Sequence, residues 1–220
     1  MTRKHTALLL ILAAVLANVA FTALGSIFNY PEVLDEPAGD VLASFREHEG
    51  AVSAWFTVLA LSAALLAPIA IGVGRLSSAR PMRLAVWVGI AAAIVQVIGL
   101  MRWPILVPGY AANGDSDAFT TASDVLGTAI GETIGYLLTA LWTALVIAAI
   151  GRWFAGRWFA ALGVASAALV FVGVFSPLGL PVIDTANFFG YVLWSLWLIA
   201  FGVVLLVRER QPARAAAATS

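Results

Sequence analysis

Six long apolar stretches, separated by short polar gaps, form the main pattern along this chain. Each has about 18 to 26 residues, enough for an α-helix rising 1.5 Å per residue to cross a hydrocarbon core of roughly 30 Å. The predicted spans are residues 6–28, 51–73, 84–102, 125–150, 158–175 and 188–207. The pattern therefore predicts an all-α, polytopic membrane protein with a six-helix bundle over residues 1–207. Residues 208–220 have no apolar face and are predicted to be a disordered tail.

Charged residues divide between alternate gaps, and this division predicts how the bundle lies in the membrane. The acidic residues concentrate in the first, third and fifth gaps, whereas the basic residues concentrate at both chain ends and in the second and fourth gaps. Short loops rich in Arg and Lys stay on the cytoplasmic side of a membrane. We therefore expect both termini to be cytoplasmic and the acidic gaps to face outward.

Composition excludes several classes of protein. With 62% hydrophobic and 11% charged residues, the chain is far more apolar than soluble domains, in which about 25% of residues are charged. A net charge of zero predicts no nucleic-acid partner, and the absence of Cys excludes disulfides and thiolate metal sites. The strong excess of Arg over Lys, with abundant Ala and Val, favours a GC-rich bacterial gene. The expected location is therefore the bacterial cytoplasmic (inner) membrane, with the lipid bilayer as partner.

Short sequence similarities predict that the spans come as three helical hairpins. A Pro lies near the start of each outward gap, in the strings NYPEVL, RWPILV and GLPVID. The strings ETIGYLLTALW and NFFGYVLWSLW of the fourth and sixth spans share five of eleven positions. Parallel repeats of this kind occur in transporters, but apolar helices built from few residue types also match by chance. In the gaps we expect a short surface helix containing Val41, Leu42 and Phe45, and a loop that ends at a helix cap, Ser123 or Asp124.

Three polar residues, Arg102, Glu132 and Asn187, are expected near the outer interface. Counting from the cytoplasmic ends of their spans places them about 27 to 32 Å from the inner boundary, where a charge costs much less than at the bilayer centre. One hypothesis makes them the polar floor of an outward-facing vestibule that holds a small polar or zwitterionic molecule. The alternative is a structural ion pair between Arg102 and Glu132, since pairing is the ordinary way to bury a carboxylate. Both hypotheses predict contact between these two residues.

Two helix faces are predicted to look into the bundle near these residues. Tyr136 lies about one turn after Glu132 and Tyr191 about one turn after Asn187, so both tyrosines are candidates for the same ligand site. Aromatic stripes at this spacing also serve simply as packing surfaces. The fourth span has, in addition, a repeated small-residue pattern that lets another backbone approach and predicts helix packing. Its members are Gly127, Gly131 and Gly135.

Signals for catalysis are few. No charged residue or His reaches the middle of a span, which argues against a proton- or sodium-coupled transporter. His5 and His48 lie outside the predicted spans, so we predict no catalytic residue, no metal site and no cofactor. A metal site at residues 47–49 and the DxD of residues 115–117 are weaker alternatives, which a solvated polar surface explains better.

These observations leave three functional hypotheses. The leading one is a non-enzymatic membrane protein that binds, passes or senses a small molecule or lipid at its outer face through Arg102, Glu132 and Asn187. A second is a structural or accessory subunit, in a homo- or hetero-oligomer, that packs through the glycine face of the fourth helix. The third is a membrane enzyme that acts on a lipid-borne substrate at the outer interface, with Glu132 as acid or base.

The strings NYPEVL, RWPILVPGY and GETIGYLLTALW also carry a family resemblance. With these strings and this length, the chain resembles the uncharacterised bacterial integral-membrane proteins grouped as the domain of unknown function 4386 family. The most specific parts are Gly-Glu-x-x-Gly-Tyr at residues 131–136 and Arg-Trp-Pro at residues 102–104. The resemblance implies a multi-span bacterial membrane protein and implies no substrate.

Overall fold

The computed structural model describes residues 2–217, with side chains described as far as Arg208. Helices make up almost all of this part of the chain, and within it no strand is formed. The α-helices are α1 (Arg3–Phe28), α2 (Ala38–Glu47), α3 (Glu49–Ala64), α4 (Leu66–Gly74), α5 (Arg80–Ile105), α6 (Val107–Asn113), α7 (Ser116–Ala122), α8 (Gly135–Ala155), α9 (Arg157–Val172) and α10 (Pro181–Ala217). Two 3-10 segments (Glu32–Asp35 and Gly173–Leu178) and a π-helical segment (Ser123–Ile134) lie between them.

Six helical stretches within the described residues are long and apolar enough to cross a membrane. They are Arg3–Phe28, Glu49–Gly74, Arg80–Asn113, Ser116–Ala155, Arg157–Leu178 and Pro181–Arg208. The predicted all-α fold with six spans is therefore confirmed, and the protein is a multi-pass helical membrane bundle. The largest difference from prediction lies between the third and fourth spans, where α6 and α7 replace the expected loop.

Each span packs against the next one in chain order, and the sixth packs against the first. The six spans therefore form a closed ring of neighbours, in which three consecutive helical hairpins can be traced. The ring closes where α1 meets α10: a Cβ added at Gly202 would lie 2.7 Å from the carbonyl oxygen of Ala7, closer than real Cβ atoms approach. The duplication of the hairpins stays a prediction.

Aromatic side chains fill the inside of the ring. Trp142, Phe159 and Trp197 are fully buried, with Phe159 stacked on Trp197 at a ring-centroid distance of 5.3 Å and Trp142 at 5.9 Å from Trp197. About two turns earlier on the same helices, the ring centroids of Tyr136 and Tyr191 lie 5.6 Å apart. Corresponding positions of the two similar strings thus face each other, and both predicted faces look inward.

Short elements cover one end of the ring. The first 3-10 segment, α2, α6 and α7 pack around Trp103, which is fully buried. Phe56 stacks on Trp103 with ring centroids 4.6 Å apart, and Phe28 and Phe45 lie against the same ring. We name this the cap end. The opposite end, where α1 begins and where the second and fourth gaps lie, is named the basic end.

The cap elements refine two predictions. The expected short helix forms as α2 and buries Val41, Leu42 and Phe45, but this face packs on protein rather than on the membrane surface. The expected cap at Ser123 or Asp124 is wrong, because the helix begins earlier. At the start of α7, the Asp115 side chain accepts a hydrogen bond from the backbone N–H of Ala118 at 3.0 Å and caps the helix.

Two helix boundaries differ from the predicted spans. The second span divides into two helices between Ala64 and Leu66. The reason is Pro68, which has no N–H to donate to the carbonyl of Ala64, four residues earlier. At the other end, α10 continues to Ala217, through most of the segment predicted to be a disordered tail. Residues 218–220 of that prediction lie outside the described residues.

Candidate functional site

Arg102 is buried inside the bundle near the cap end, where α5 meets the fourth span. Only 6% of its surface is exposed. Its Nη1 donates a hydrogen bond of 2.7 Å to the carbonyl oxygen of Gly99, and its guanidinium carbon lies 5.3 Å from the ring centroid of Trp103. The Nε atom is buried and has no hydrogen-bond partner among the described residues. Arg102 therefore retains an unused donor.

Glycines of the fourth span create the space around Arg102. A Cβ added at Gly127 would lie 2.6 to 3.1 Å from the guanidinium atoms of Arg102. A Cβ added at Gly99 would lie 2.6 Å from the Cα of Gly131, so the two backbones touch there. Gly135 meets Gln96, whose Cγ would lie 3.0 Å from an added Cβ. The three glycines, spaced every four residues on the fourth span, thus pack against Arg102, Gly99 and Gln96, which are spaced every three residues on α5.

The glycine face predicted for helix packing is accordingly covered by the third span of the same chain. This bears on the hypothesis of an accessory subunit that binds a partner through that face. Because α5 already lies on Gly127, Gly131 and Gly135, the face is not free for a second protein. Among the described residues, this packing joins two spans of the same chain.

Glu132 lies in the π-helical segment and is half-buried. It interacts electrostatically with Arg102 and with Asp184 of α10. Among the described residues, however, no carboxylate oxygen of Glu132 lies within the 4.0 Å of an Arg102 nitrogen that defines an ion pair, and the carboxylate accepts no hydrogen bond. The expected direct contact is therefore not formed. The reason is that the Arg102 side chain is held by the Gly99 carbonyl and by the surface of Gly127.

Three tyrosines surround this pair of charges. Tyr136 and Tyr191 were expected from the sequence, and both interact electrostatically with Glu132. Tyr30, which sequence reasoning did not single out, joins them from the gap after α1 and interacts with both Glu132 and Arg102. The only feature of the sequence that marks Tyr30 is its position beside Pro31 in the string NYPEVL.

Tyr30 reaches the site because α1 ends abruptly before it. Asn29 adopts a left-handed conformation with φ of 51°, which terminates the helix. The Tyr30 ring then packs edge-on against Phe56 at 5.2 Å and against Phe21 at 5.6 Å. Burial raises the pKa of Tyr30 from 10.0 to about 12; Glu132 also raises it, and Arg102 acts in the opposite direction.

Asn187 makes its hydrogen bond to the neighbouring α9. Its Nδ2 donates to the carbonyl oxygen of Val170 at 3.1 Å, and its side chain packs beside Gly173. The amide therefore ties α10 to the end of α9. The Tyr136 ring lies against the same glycine, so Asn187 borders the site through Tyr136. No described contact joins Asn187 to Arg102 or Glu132.

Below the tyrosines, a chain of neutral hydrogen bonds runs toward the middle of the bundle. Gln96 Nε2 donates to Thr139 Oγ1 at 2.7 Å, and the Tyr191 hydroxyl faces the same Thr139 hydroxyl. Thr143 donates to the carbonyl oxygen of Thr139 and accepts from Trp194 Nε1 at 2.8 Å. These groups satisfy one another, whereas the charged groups above them do not.

No group of three His, Asp or Glu side chains suited to a metal ion occurs among the described residues. Asp115 is used as a helix cap, and residues 47–49 lie exposed at the junction of α2 and α3. What the site offers chemically is one cation, one carboxylate and phenolic hydroxyls, held close together at the cap end.

Comparison with known proteins places the whole bundle in one family. No curated protein and no solved structure matches the chain. The family model described as Domain of unknown function (DUF4386) matches residues 5–202, a range that includes Arg102, Glu132 and all three tyrosines. Because this match covers far more than half of the sequence, the chain belongs to the DUF4386 family.

Proposed function

We propose that this protein lies in the bacterial cytoplasmic membrane with its basic end in the cytoplasm, and that it binds a small zwitterionic molecule between Arg102 and Glu132. The orientation is supported by the alternation of basic and acidic gaps. The observation that carries the binding proposal is that the two opposite charges are close enough to interact but are not joined by an ion pair within the described residues.

Two opposite charges that lie near each other inside a protein without forming an ion pair can be bridged by a bound molecule. Groups of this kind are paired directly or through an intervening partner, because an uncompensated buried charge costs several kcal/mol. A ligand with an anionic or carbonyl acceptor would satisfy the free Nε of Arg102, and an ammonium or hydroxyl donor would satisfy Glu132. A molecule that carries both groups fits better than one that carries either alone.

The tyrosines support the same assignment. Among the described residues, neither Tyr30 nor Tyr136 makes a hydrogen bond through its hydroxyl. A phenolic hydroxyl both donates and accepts, so these two groups can bind either end of a zwitterion. The Tyr191 hydroxyl faces Thr139, away from this pair.

The closed interior favours binding or sensing over passage. Below the site, Trp142, Phe159 and Trp197 have no exposed surface, so these three side chains do not line a water-filled passage. Above it, the cap packs around Trp103, which is equally buried. A ligand bound at Arg102 and Glu132 would lie between these two buried aromatic clusters.

The test uses the full chain in lipid nanodiscs and measures its thermal stabilisation by free glycine and larger amino acids. Acetate and methylamine serve as half-ligands, each carrying one charged group. A ligand present at 100 times its Kd stabilises a folded protein by about 2.7 kcal/mol. We expect stabilisation by at least one zwitterion, little by either half-ligand, and loss of the effect in Glu132→Gln.

The matched control is Asp124→Asn, which removes the same charge from an exposed position of the same π-helical segment. This variant should respond to ligand as the wild type does. Unchanged stabilisation of Glu132→Gln by the zwitterion would overturn the proposal. If no zwitterion stabilises the wild type, and Glu132→Gln melts at a much lower temperature without ligand, the charges are structural instead.

A further inference from the structure

A second site lies at the basic end, far from the tyrosines. It is a small cavity of about 60 Å³ between the beginning of α1, the end of α8 and the end of the sixth span. Its lining consists of Arg3, Leu76, Trp153, Phe154, Leu205 and Arg208. Two guanidinium groups and four apolar side chains thus meet in one place, and no acidic residue is among them.

The two arginines come from opposite ends of the chain. They are brought together by the close crossing of α1 and α10 at Ala7 and Gly202, a few residues from Arg3 and Arg208 respectively. Thr2 caps α1 by accepting a hydrogen bond from the backbone N–H of His5 at 3.3 Å, which fixes where Arg3 begins the helix. The convergence of the charges therefore follows from the fold.

The floor of the cavity is aromatic. Arg208 lies over the ring of Phe154, with its guanidinium carbon 4.9 Å from the ring centroid. Phe154 is itself buried and packs against Phe159 at 5.3 Å and Phe201 at 5.0 Å. A cation over such a ring keeps its hydrogen-bond donors free at the edge of the guanidinium plane.

Neither guanidinium makes a hydrogen bond or an ion pair with another described side chain. Within the part of the chain whose side chains are described, the two positive groups converge without a counter-ion, and an oxyanion that both can bind relieves their repulsion. Phosphate suits this geometry, because the planar guanidinium group offers paired N–H donors to its oxygens. The cavity is therefore complementary to a phosphate group.

The apolar lining indicates where the phosphate comes from. Leu76, Leu205 and Trp153 flank the arginines, and Trp153 is 62% exposed on the bundle surface, as a Trp at a membrane interface is. Basic pockets at the ends of membrane helices bind the headgroups of anionic lipids. We propose that Arg3 and Arg208 together bind the phosphate of an anionic phospholipid in the leaflet at the basic end. This site is independent of the ligand proposed at Arg102 and Glu132.

The experiment counts lipids retained by the full chain after release from nanodiscs into native mass spectrometry. Nanodiscs contain an equal mixture of phosphatidylglycerol, which is anionic, and phosphatidylcholine, which has the same phosphate but no net charge. We expect one phosphatidylglycerol to be retained by the wild type. The double variant R3A/R208A should lower the apparent affinity for this lipid about tenfold or more, because two charge-assisted phosphate contacts are lost.

The matched control is R152A/R157A, which removes two exposed charges from the same end without touching the cavity. It should retain the lipid. Equal loss in both double variants, or equal retention of phosphatidylcholine by the wild type, would overturn the site. If the Ala variant does not fold, Arg208→Gln alone should still weaken retention, and wild-type retention in that variant would count against the proposal.

A further arm distinguishes the two sources of phosphate. In detergent without lipid, the melting temperature is measured with added inorganic phosphate and, separately, with a short-chain phosphatidylglycerol. We expect stabilisation by the lipid and none by millimolar inorganic phosphate. Equal stabilisation by inorganic phosphate would overturn the assignment to a lipid.

Discussion

The guanidinium group of Arg102 occupies the space that a side chain at Gly127 would need. A Cβ at Gly127 would lie 2.6 Å from Nη2 and 2.7 Å from the guanidinium carbon. Arg102 is buried and held by the Gly99 carbonyl, so it has little freedom to move aside. The absence of a single methyl group on the fourth span thus decides where the cation of the site lies.

Replacing Gly127 with Ala should therefore destabilise the protein. The added methyl must displace a buried guanidinium, and overpacking of this kind costs about 1–3 kcal/mol. We expect a lower melting temperature in detergent and weaker binding of any zwitterion at Arg102 and Glu132. Gly50→Ala is the control, because Gly50 is in the first turn of α3 and a Cβ there meets nothing within 4 Å.

A double-mutant cycle shows whether Arg102 is the obstacle. If it is, Gly127→Ala should cost less in a background of Arg102→Met, whose shorter side chain leaves room for the methyl group. Equal costs in both backgrounds would contradict the assignment of the clash to the guanidinium.

The contact between Gly99 and Gly131 should tolerate substitution even less. Here a Cβ on Gly99 would lie 2.6 Å from the Cα of Gly131 and 2.9 Å from the carbonyl oxygen of Leu126. Backbone atoms move only if two spans separate, whereas displacing the Arg102 guanidinium requires only that one side chain and its hydrogen bond to the Gly99 carbonyl give way. We expect Gly99→Ala to lower the melting temperature more than Gly127→Ala does. The reverse order would show that the two spans separate easily at this crossing.

The sequence predicts the parts of the fold that depend on local pattern. Six apolar stretches predict six spans because each must bury its backbone hydrogen bonds within a helix. The buried face of α2 follows in the same way from the spacing of Val41, Leu42 and Phe45. Arg102 and Glu132 could be placed together because counting along a helix gives their depth.

The details of the site depend instead on contacts between distant segments. Tyr30 joins the site only because the chain turns at Asn29 and packs on Phe56, 26 residues further along. The separation of Arg102 from Glu132 depends on Gly127 and on the π-helical turns of the fourth span, and apolar periodicity does not distinguish such turns from an α-helix. Asn187 binds Val170 because the end of α9 lies beside it.

The raised pKa of Tyr30 predicts how stability depends on pH. Burial favours the neutral phenol, so this contribution to folding is fully present below about pH 10, the ordinary pKa of tyrosine, and is lost as pH rises through about 12. A titration of tyrosinate absorbance should show one hydroxyl ionising near pH 12, and this step should disappear in Tyr30→Phe. Tyr110→Phe, on α6 in the cap, should leave it in place. Loss of a step near pH 10 in Tyr30→Phe would contradict the raised pKa of this hydroxyl.

The absence of Cys makes the orientation of the bundle directly measurable, because a single introduced thiol is then the only one in the chain. Asp117→Cys places it on α7 at the cap end, and Ser78→Cys places it in the second gap at the basic end; both positions are exposed. A membrane-impermeant maleimide applied to intact cells should label residue 117 and should reach residue 78 only after the membrane is permeabilised. This follows from the Arg residues of the basic end, which resist transfer across the membrane during insertion. The opposite labelling pattern would invert the bundle and place the Arg102–Glu132 site on the cytoplasmic side, where a ligand would have to come from inside the cell.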